Sequence, residues 1–517
     1  MQETLEKTPL LKDHKSKEYT FSLWEKYTSC RWQVGIIAGL AMSCSILLRL
    51  NMTMVVVCMA AGNLTVTVVQ NGTDVTIRDP YLDNYVYWDS AMEGLLISGY
   101  YIGQVFTSLL FGTLSGRISG KKFILFLTSV LIVTSFVTPA LTFVNPYLVL
   151  VTRILIGIAT GGLEPCGTQL LSNWAPLPER AQMMSITEQA NSIGGIGNFL
   201  LSGFICNIPV LGGWPFIFYI FGGMNVIAMT LWIFLVYDKP EQHPWIKPKE
   251  AEYINRHRTK SHGKKLKVPW LKMLTSAPVW ACVLGYLTSG TLFMVMAVCL
   301  PLYIEQVLKF DVGTNGLVSA LAFVGRFIGA LVFGYLSDWV FTKGWLTLKT
   351  IRKTCHVFGT IGSVPIIIGI SFLRQEDQVL AVVLITFYWF VLTCMNCGFR
   401  VNPADIAPRF AGVISGMCVF LNSAVSLFVP LLVTAVTPNG TADEWQSVFY
   451  GCVGVSVTGA VTFVVFASAE EQEWAKDPEE NKDMVIKVTG NNNNTFDDHL
   501  SLSTEFKSLH QGKNTYS

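Results

Sequence analysis

The chain has 517 residues, of which 51% are hydrophobic and only 14% charged, with a formal net charge of +2. Soluble domains carry roughly 25% charged residues, so a soluble globular protein is excluded, while the net charge says little about partners. No nucleophile–base pair or metal-ligand cluster stands out in the sequence, which argues against an enzyme, a cofactor or a bound metal.

In chain order, the first 32 residues are polar, show no cleavable signal peptide and form an N-terminal arm. Within it, Glu6-Lys-Thr-Pro-Leu10-Leu11 has the form of an acidic dileucine sorting signal, which adaptor proteins read to direct cargo to lysosomes and endosomes. Short patterns of this kind also arise by chance. Apolar runs long enough to cross lipid then recur near 33–60, 91–115, 123–143, 147–173, 183–206, 214–237, 277–304, 315–338, 355–373, 379–401, 410–434 and 446–468. These twelve predicted helices divide into an N-terminal half (33–237) and a C-terminal half (277–469), joined by a linker at 238–276. A polar tail, 470–517, has the composition of a disordered segment.

Basic residues fix the expected orientation. Arg117, Lys121, Lys122, Arg180, the cluster from Lys247 to Lys267, Lys343, Lys349, Arg352, Lys353 and Arg409 fall in loops on one side, against Arg78, Lys309 and Arg374 on the other. The basic-rich side is the cytosolic one, so both termini are expected in the cytosol. The linker cluster then reads as a contact with anionic lipid rather than with nucleic acid. Sequons at Asn63, Asn71 and Asn439 fall in outer loops, as glycosylation requires, whereas Asn51 is too deep in the first span. The twelve cysteines read as small packing residues rather than as a disulfide or metal framework.

The two halves repeat one another. Phe111-Gly-Thr-Leu-Ser115 ends the second span and Phe333-Gly-Tyr-Leu-Ser337 the eighth, at an offset of 222 residues. Ala175-Pro176 with Arg180 follows the fourth span, and Ala407-Pro408-Arg409 the tenth. Parallel six-helix halves predict an all-α membrane protein of the major facilitator fold, with its substrate near the midplane between them.

More specific signals are Trp88-Asp89, the run Asn173-Trp-Ala-Pro-Leu-Pro-Glu-Arg180, Gly213-Trp-Pro-Phe-Ile-Phe-Tyr219, Asn315-Gly-Leu, Asp405-Ile-Ala-Pro408 and Glu444-Trp-Gln-Ser-Val-Phe-Tyr450. Over about residues 30–475 the chain resembles solute carrier family 17, which comprises sialin, the vesicular glutamate and nucleotide transporters and the sodium/phosphate cotransporters. The resemblance implies secondary active transport of a small, often organic anion by alternating access, coupled to protons, sodium or membrane potential. It also implies that Arg49 and Arg153 contact the anion. The chain departs from the family where Ile156 and Thr160 replace the fourth-helix glutamates of sialin-like members, and where Ile97 replaces a histidine of the glutamate branch. Glutamate is thus disfavoured as the substrate, and inherited proton coupling is open. The second reading is a sodium- or potential-driven phosphate or urate-type carrier at the plasma membrane, against a lysosomal, endosomal or vesicular location for the first. A non-transporting membrane receptor is a more distant third.

Charges at bilayer depth cost several kcal/mol, roughly 3 on insertion scales, so each in-span charge needs a cavity or a partner. Arg49 either contacts the anion or reaches the outer interface. Arg153 and Glu164, eleven residues apart, share a helix face, with Gly157, Gly161 and Gly162 between them. Arg153 is either an anion contact or a pin between two helices. Arg326 falls opposite Gln104 under the repeat offset, and it either binds the anion or pairs with a buried carboxylate. Glu164 or Glu188 is assigned as the proton or cation carrier, with a permanent ion pair to an arginine as the competing reading. His356 is placed at the mouth of the ninth span, which leaves carboxylates as the titrating groups. Tyr100, Tyr101 and Phe293 are expected to shape the pocket. Asp338 and Asp405 are expected to gate by pairing with arginines across the halves, and Arg400 to snorkel to lipid headgroups.

Overall fold

The computed structural model describes residues 23–61, 66–70, 73–77, 88–114, 119–176, 179–208, 210, 213–257 and 268–476. The sorting signal at Glu6, Leu10 and Leu11, the sequons at Asn63 and Asn71 and the tail beyond 476 lie outside the described residues.

A short helix α1 (Leu23–Tyr27) leads into the first rod, α2 (Cys30–Ala61). A hairpin of β1 (Val66–Gln70) and β2 (Thr73–Ile77), with Val66 opposite Ile77, departs from the otherwise helical expectation. The N-terminal half continues with α3 (Ser90–Leu114), α4 (Gly120–Thr142), α5 (Pro146–Trp174), α6 (Arg180–Ile205) and α7 (Trp214–Leu235). The linker carries α8 (Pro248–His257) and α9 (Trp270–Leu274). The seventh rod is α10 (Ala277–Phe293), a π-helical stretch Met294–Cys299 and α11 (Leu300–Gln306). Then come α12 (Val312–Thr342), α13 (Leu348–Ser371) and a tenth rod made of α14 (Gln378–Leu392), a 3₁₀ turn Thr393–Met395, α15 (Asn396–Phe399) and α16 (Asn402–Ile406). The eleventh is split into α17 (Ala411–Ser426) and α18 (Val429–Val436), and α19 (Ala442–Phe466) is the twelfth.

Ten of these rods are long and apolar enough to cross a membrane. The other two, α3 and α6, have 25 and 26 residues and therefore the length. α6 tolerates a more polar sequence because it packs between α2 of its own half and α12 of the other. The ninth rod starts at Leu348, earlier than the hydropathy suggests, so His356 lies two turns inside it and is fully buried. Carboxylates are therefore not the only titratable groups inside the spans.

Side-chain caps hold several helix ends. Asn145 caps α5 by accepting from the Tyr147 amide at 2.8 Å, Asp311 caps α12 through the Thr314 amide, and Thr441 with Glu444 forms a capping box on α19. Glycines set the tightest helix contact. A Cβ on Gly157 would run into the Tyr100 carbonyl, and one on Gly103 into the Ile154 carbonyl, so α3 and α5 touch backbone to backbone.

The signature residues of the sequence are mostly end fasteners. Trp174 is fully buried and donates from its indole to the Tyr237 carbonyl at 2.7 Å, while Asn173 reaches the Asp238 carbonyl. Asp238 in turn accepts from the Lys121 amide at 2.8 Å and meets the Ser119 hydroxyl, closing the start of α4. Asn315 donates to the Pro301 carbonyl at 2.8 Å, and Trp445 to Gln306. In the linker, burial among Trp174, Tyr237 and Trp245 pushes the His243 imidazole below its ordinary value.

The linker is also clasped to the N-terminal half by a buried ion cluster. Arg31, at 0% exposure, donates to Glu179 through Nε (2.9 Å) and Nη2 (3.0 Å) and to Glu250 of α8 through Nη1 (3.3 Å). Glu250 also accepts the backbone amides of Cys30 and Arg31, so a carboxylate from α8 caps α2. Trp32 donates to Glu179, and the Tyr253 ring lies 5.2 Å from the Arg31 guanidinium.

Cysteine usage corrects the sequence expectation. Cys58 and Cys206 form a disulfide that ties the far ends of α2 and α6 together, on the side opposite the linker. The sequence hid it because the partners are 148 residues apart and lie at helix ends rather than in a spaced motif.

Breaking a buried ion pair by removing one partner costs about 3–5 kcal/mol. Glu179→Ala is therefore expected to lower the thermal unfolding midpoint of purified protein more than Glu252→Ala, whose exposed pair with Arg256 contributes little. Equal midpoints for the two variants would contradict the clasp.

Candidate functional site

Between the two halves lies a cavity of about 820 Å³. Its closed end is lined by Arg49 of α2, Tyr100 and Gln104 of α3, Thr160 of α5, Phe293 of α10, Phe323 and Arg326 of α12 and Trp389 of α14. From there it widens past Asn191, Asn396, Phe399 and Asn422 to Arg400, Arg409, Gly412, Ser415 and Trp270 on the linker side. A Cβ on Gly412 or Gly416 would meet nothing within 4 Å, which marks the open mouth.

The opposite side is shut. Gly203 and Gly316 bring α6 and α12 together, since a Cβ on Gly316 would lie 2.6 Å from the Phe199 carbonyl and 2.7 Å from the Gly203 Cα. A Cβ on Gly195 would overlap the Phe323 ring, and Gly94 of α3 packs on Leu431 and Thr434 of α18. The described state is thus open on the linker face and closed on the hairpin face.

Arg49 and Arg326 share one ring. The Phe293 centroid is 5.4 Å from the Arg49 guanidinium carbon and 5.3 Å from that of Arg326. Arg49 is also flanked by Tyr100 (5.3 Å) and Tyr101 (5.5 Å) and donates to the Tyr101 hydroxyl at 3.2 Å. Trp389 lies 6.0 Å from Arg326 and stacks on Phe323. Aromatic faces stabilise a guanidinium without using its N–H groups, and those N–H groups suit a carboxylate or phosphate through paired hydrogen bonds. Among the described residues lining the cavity there are four arginines and no carboxylate. The described lining is therefore basic.

Several expected residues come together here. Tyr100, Phe293, Arg49 and Arg326 line the cavity, and Tyr101 stands behind Arg49. Gln104 and Arg326, paired by the repeat offset, both reach the cavity from corresponding helices of the two halves. Arg400, expected at the headgroups, instead lines the mouth, because the break of the tenth rod turns its last residues inward. Glu164 and Glu188 belong to α5 and α6, and their side chains lie outside the described residues.

Arg153 goes elsewhere. At 1% exposure it donates to the Leu48 carbonyl (2.9 Å), the Asn51 side-chain oxygen (3.1 Å) and the Arg49 carbonyl (3.0 Å). It takes no part in the cavity lining in this state and holds the α2 backbone at the residue that presents Arg49. Its geometry matches the pin between two helices rather than a direct anion contact. Asp405 pairs with Arg352 at 2.7 Å, and both belong to the C-terminal half, so the pair it makes in this linker-open state lies within one half rather than across the two. Asp338 is exposed on α12. Asn439 is exposed, with its side-chain nitrogen donating to Glu444 at 2.8 Å. The polar lining residues Asn191, Asn396 and Asn422 were missed as site residues, since uncharged amides in apolar runs give no signal of which face they occupy.

Residues 41–430 match the Major Facilitator Superfamily. "Uncharacterized transporter slc-17.2" of Caenorhabditis elegans is 30% identical over 466 residues, covering 87% of this chain and 93% of that protein. Human sialin is 28% identical over 454 residues, covering 86% and 91%. Vesicular glutamate transporter 3 of Danio rerio is 30% identical over 485 residues, covering 92% and 78%. Among solved structures, a D-xylose–proton symporter superposes with a TM-score of 0.60 at 16% identity, covering 84% of this chain and 97% of that one. A bacterial homologue of the human lysosomal transporter Spinster, in an inward-facing and occupied conformation, gives 0.57 at 13% identity, covering 84% and 96%.

If Arg153 acts by forking three α2 acceptors, its charge alone is insufficient, because lysine lacks the planar fork. Arg153→Lys is expected to weaken substrate binding about tenfold, the scale of losing one charge-assisted bond, and to lower thermal stability as well. Full retention of both by the lysine variant would refute the positioning role.

Proposed function

Because the chain belongs to the Major Facilitator Superfamily, and within it to solute carrier family 17, we propose that it carries a small organic anion across a membrane by alternating access. The observation that carries this reading is the pair Arg49 and Arg326 on one Phe293 ring, at the closed end of a cavity whose described lining has four arginines and no carboxylate. The anion enters from the open linker side, docks its charged group on the two guanidinium edges and rests its body on Trp389, Phe293 and Tyr100. Closure of the linker side and separation of the Gly203–Gly316 contact would then expose it to the other face.

The cytosol is assigned to the linker face. That assignment is supported by the basic residues of the linker and by the Cys58–Cys206 disulfide on the opposite face, since disulfides persist in oxidising compartments. Glu164 and Glu188 remain the proposed proton or cation carriers. The Glu6–Leu11 arm supports a lysosomal or endosomal membrane, with adaptor proteins as partners.

The test is uptake into proteoliposomes of sialic acid, acidic amino acids, urate and phosphate, with pH, sodium and voltage varied separately. Arg49→Lys and Arg326→Lys should each reduce kcat/KM about tenfold to a hundredfold, since lysine cannot form the bidentate pair. Transport of an anion that survives both substitutions unchanged would overturn the site. PH dependence unchanged in both Glu164→Gln and Glu188→Gln would remove the carboxylates as carriers. In cells, Leu10→Ala with Leu11→Ala should move the protein from endolysosomes to the plasma membrane, and an unaltered distribution would discard the sorting signal.

A further inference from the structure

Three cysteines gather where the tenth rod breaks, outside the anion site. Cys394 and Cys397 flank the end of the 3₁₀ turn with two residues between them, and Cys355 faces them from α13. The two elements meet backbone to backbone. A Cβ on Gly359 would collide with the Met395 amide, and one on Gly398 would lie 2.6 Å from the Arg352 carbonyl and 2.8 Å from the His356 Cβ. Arg352 fastens this contact by donating to the Cys397 carbonyl at 2.9 Å and to Asp405. Cys355 sits one turn before Gly359, and Cys394 immediately before Met395, so the shared close approach brings their side chains together.

The consequence of a bond here follows from position. Cys355 and Cys397 are partly exposed, whereas Cys394 is buried. Met395, Asn396, Phe399 and Arg400, which surround the pair in sequence, line the cavity that opens on the linker face. A covalent bond here would fix the segment that carries four cavity-lining side chains. The site also lies on the side opposite the Cys58–Cys206 disulfide. A carrier with one side oxidising and one reducing would keep this second pair as thiols until an oxidant reached it.

We propose that Cys355 and Cys394 are a reversible oxidation site, at which a peroxide converts the two thiols to a disulfide and holds the carrier in its linker-open state. The Cys355 thiolate attacks one peroxide oxygen, breaking the O–O bond to give a sulfenic acid and water. Cys394 then attacks that sulfur, and the second oxygen leaves as water. Two thiols and one hydrogen peroxide thus yield one disulfide and two waters. A small thiol reverses the step by exchange.

The experiment uses the full-length protein in proteoliposomes, treated with hydrogen peroxide, alkylated, digested and mapped by peptide mass spectrometry. The Cys58–Cys206 peptide serves as the internal positive control. A Cys355–Cys394 peptide is expected, removed by dithiothreitol, absent in Cys355→Ser and Cys394→Ser and retained in Cys397→Ser. Initial uptake of the anion should fall about fivefold or more in the unsubstituted protein, as expected when one of two access states is trapped, and recover with dithiothreitol. Both serine variants at positions 355 and 394 should resist peroxide while eluting as monodisperse protein. A Cys394–Cys397 peptide instead, or no new disulfide when the control peptide is seen, would overturn the site. Crosslinking with unchanged uptake would overturn the trapping. Peptide mapping needs no substrate, so failure of the transport reading leaves a distinct result from failure of this one.

Discussion

The cost of holding a guanidinium inside a membrane-spanning bundle organises this molecule. An arginine at that depth must have its charge spread over partners, and the chain solves the problem in two different ways. Arg153 spends both terminal nitrogens on the carbonyls of Leu48 and Arg49 and on the Asn51 side-chain oxygen, so its hydrogen bonds run to protein, while its buried Nε has no hydrogen-bond partner. Arg49 and Arg326 are covered on their faces by Tyr100, Tyr101, Phe293 and Trp389, an arrangement that stabilises the charge and directs hydrogen-bonding edges to a cavity. The first solution makes a fastener and the second makes a binding surface. The two are joined, because the carbonyl that Arg153 holds belongs to Arg49 itself.

Much of the fold was legible in the sequence. Span lengths, the side bias of basic residues and the 222-residue repeat are properties that lipid imposes on composition, and composition is visible without coordinates. The repeat even placed Gln104 and Arg326 as counterparts, and both line the cavity. What failed was anything that depends on where a helix bends. Arg400 reads as a headgroup contact if the tenth rod runs straight, and becomes a cavity residue because the rod breaks at Thr393–Met395. His356 was misplaced because Leu348-Lys-Thr-Ile-Arg-Lys353 is too polar to register as the start of a span, although it is helix. Asp405 finds Arg352 in its own half rather than a partner across the cavity, a distinction that no sequence separation encodes.

Most of the conspicuous family motifs lie away from the cavity, Arg49 being the exception that lines it. Asn173, Trp174, Asn315 and Trp445 are conspicuous in the sequence, and all four donate hydrogen bonds that close helix ends or loops. Tryptophan and asparagine suit that work because one buried donor or amide can occupy an otherwise orphaned carbonyl. The lining amides Asn191, Asn396 and Asn422 carry no such signature. Resemblance therefore reports the scaffold with more certainty than it reports the cargo. Reading the cysteines as scattered packing residues overlooks the Cys394-Met-Asn-Cys397 spacing, whose meaning in any case depends on Cys355, brought in by a glycine contact that only the fold reveals.

The two halves are built to different stiffness. In the N-terminal half the helix ends on the linker side are fastened by the Arg31–Glu179–Glu250 cluster and by Asp238 at the start of α4, and the far side is tied by Cys58–Cys206. In the C-terminal half three rods are interrupted: by the π-helical stretch Met294–Cys299, by the 3₁₀ turn Thr393–Met395 and by the α17–α18 junction before Pro430. Interrupted helices have backbone groups that can exchange partners at small cost, whereas capped and crosslinked ones do not. All three interruptions begin beside cavity residues, after Phe293, within Trp389 to Thr393 and after Ser426, and Phe293 and Trp389 supply rings beside Arg326. Rearrangement in response to an anion should then be concentrated in the C-terminal half, with the N-terminal half acting as the reference against which α10 and α14 move. Arg49 is anchored through its own backbone, while two of the rings beside Arg326 belong to the interrupted rods.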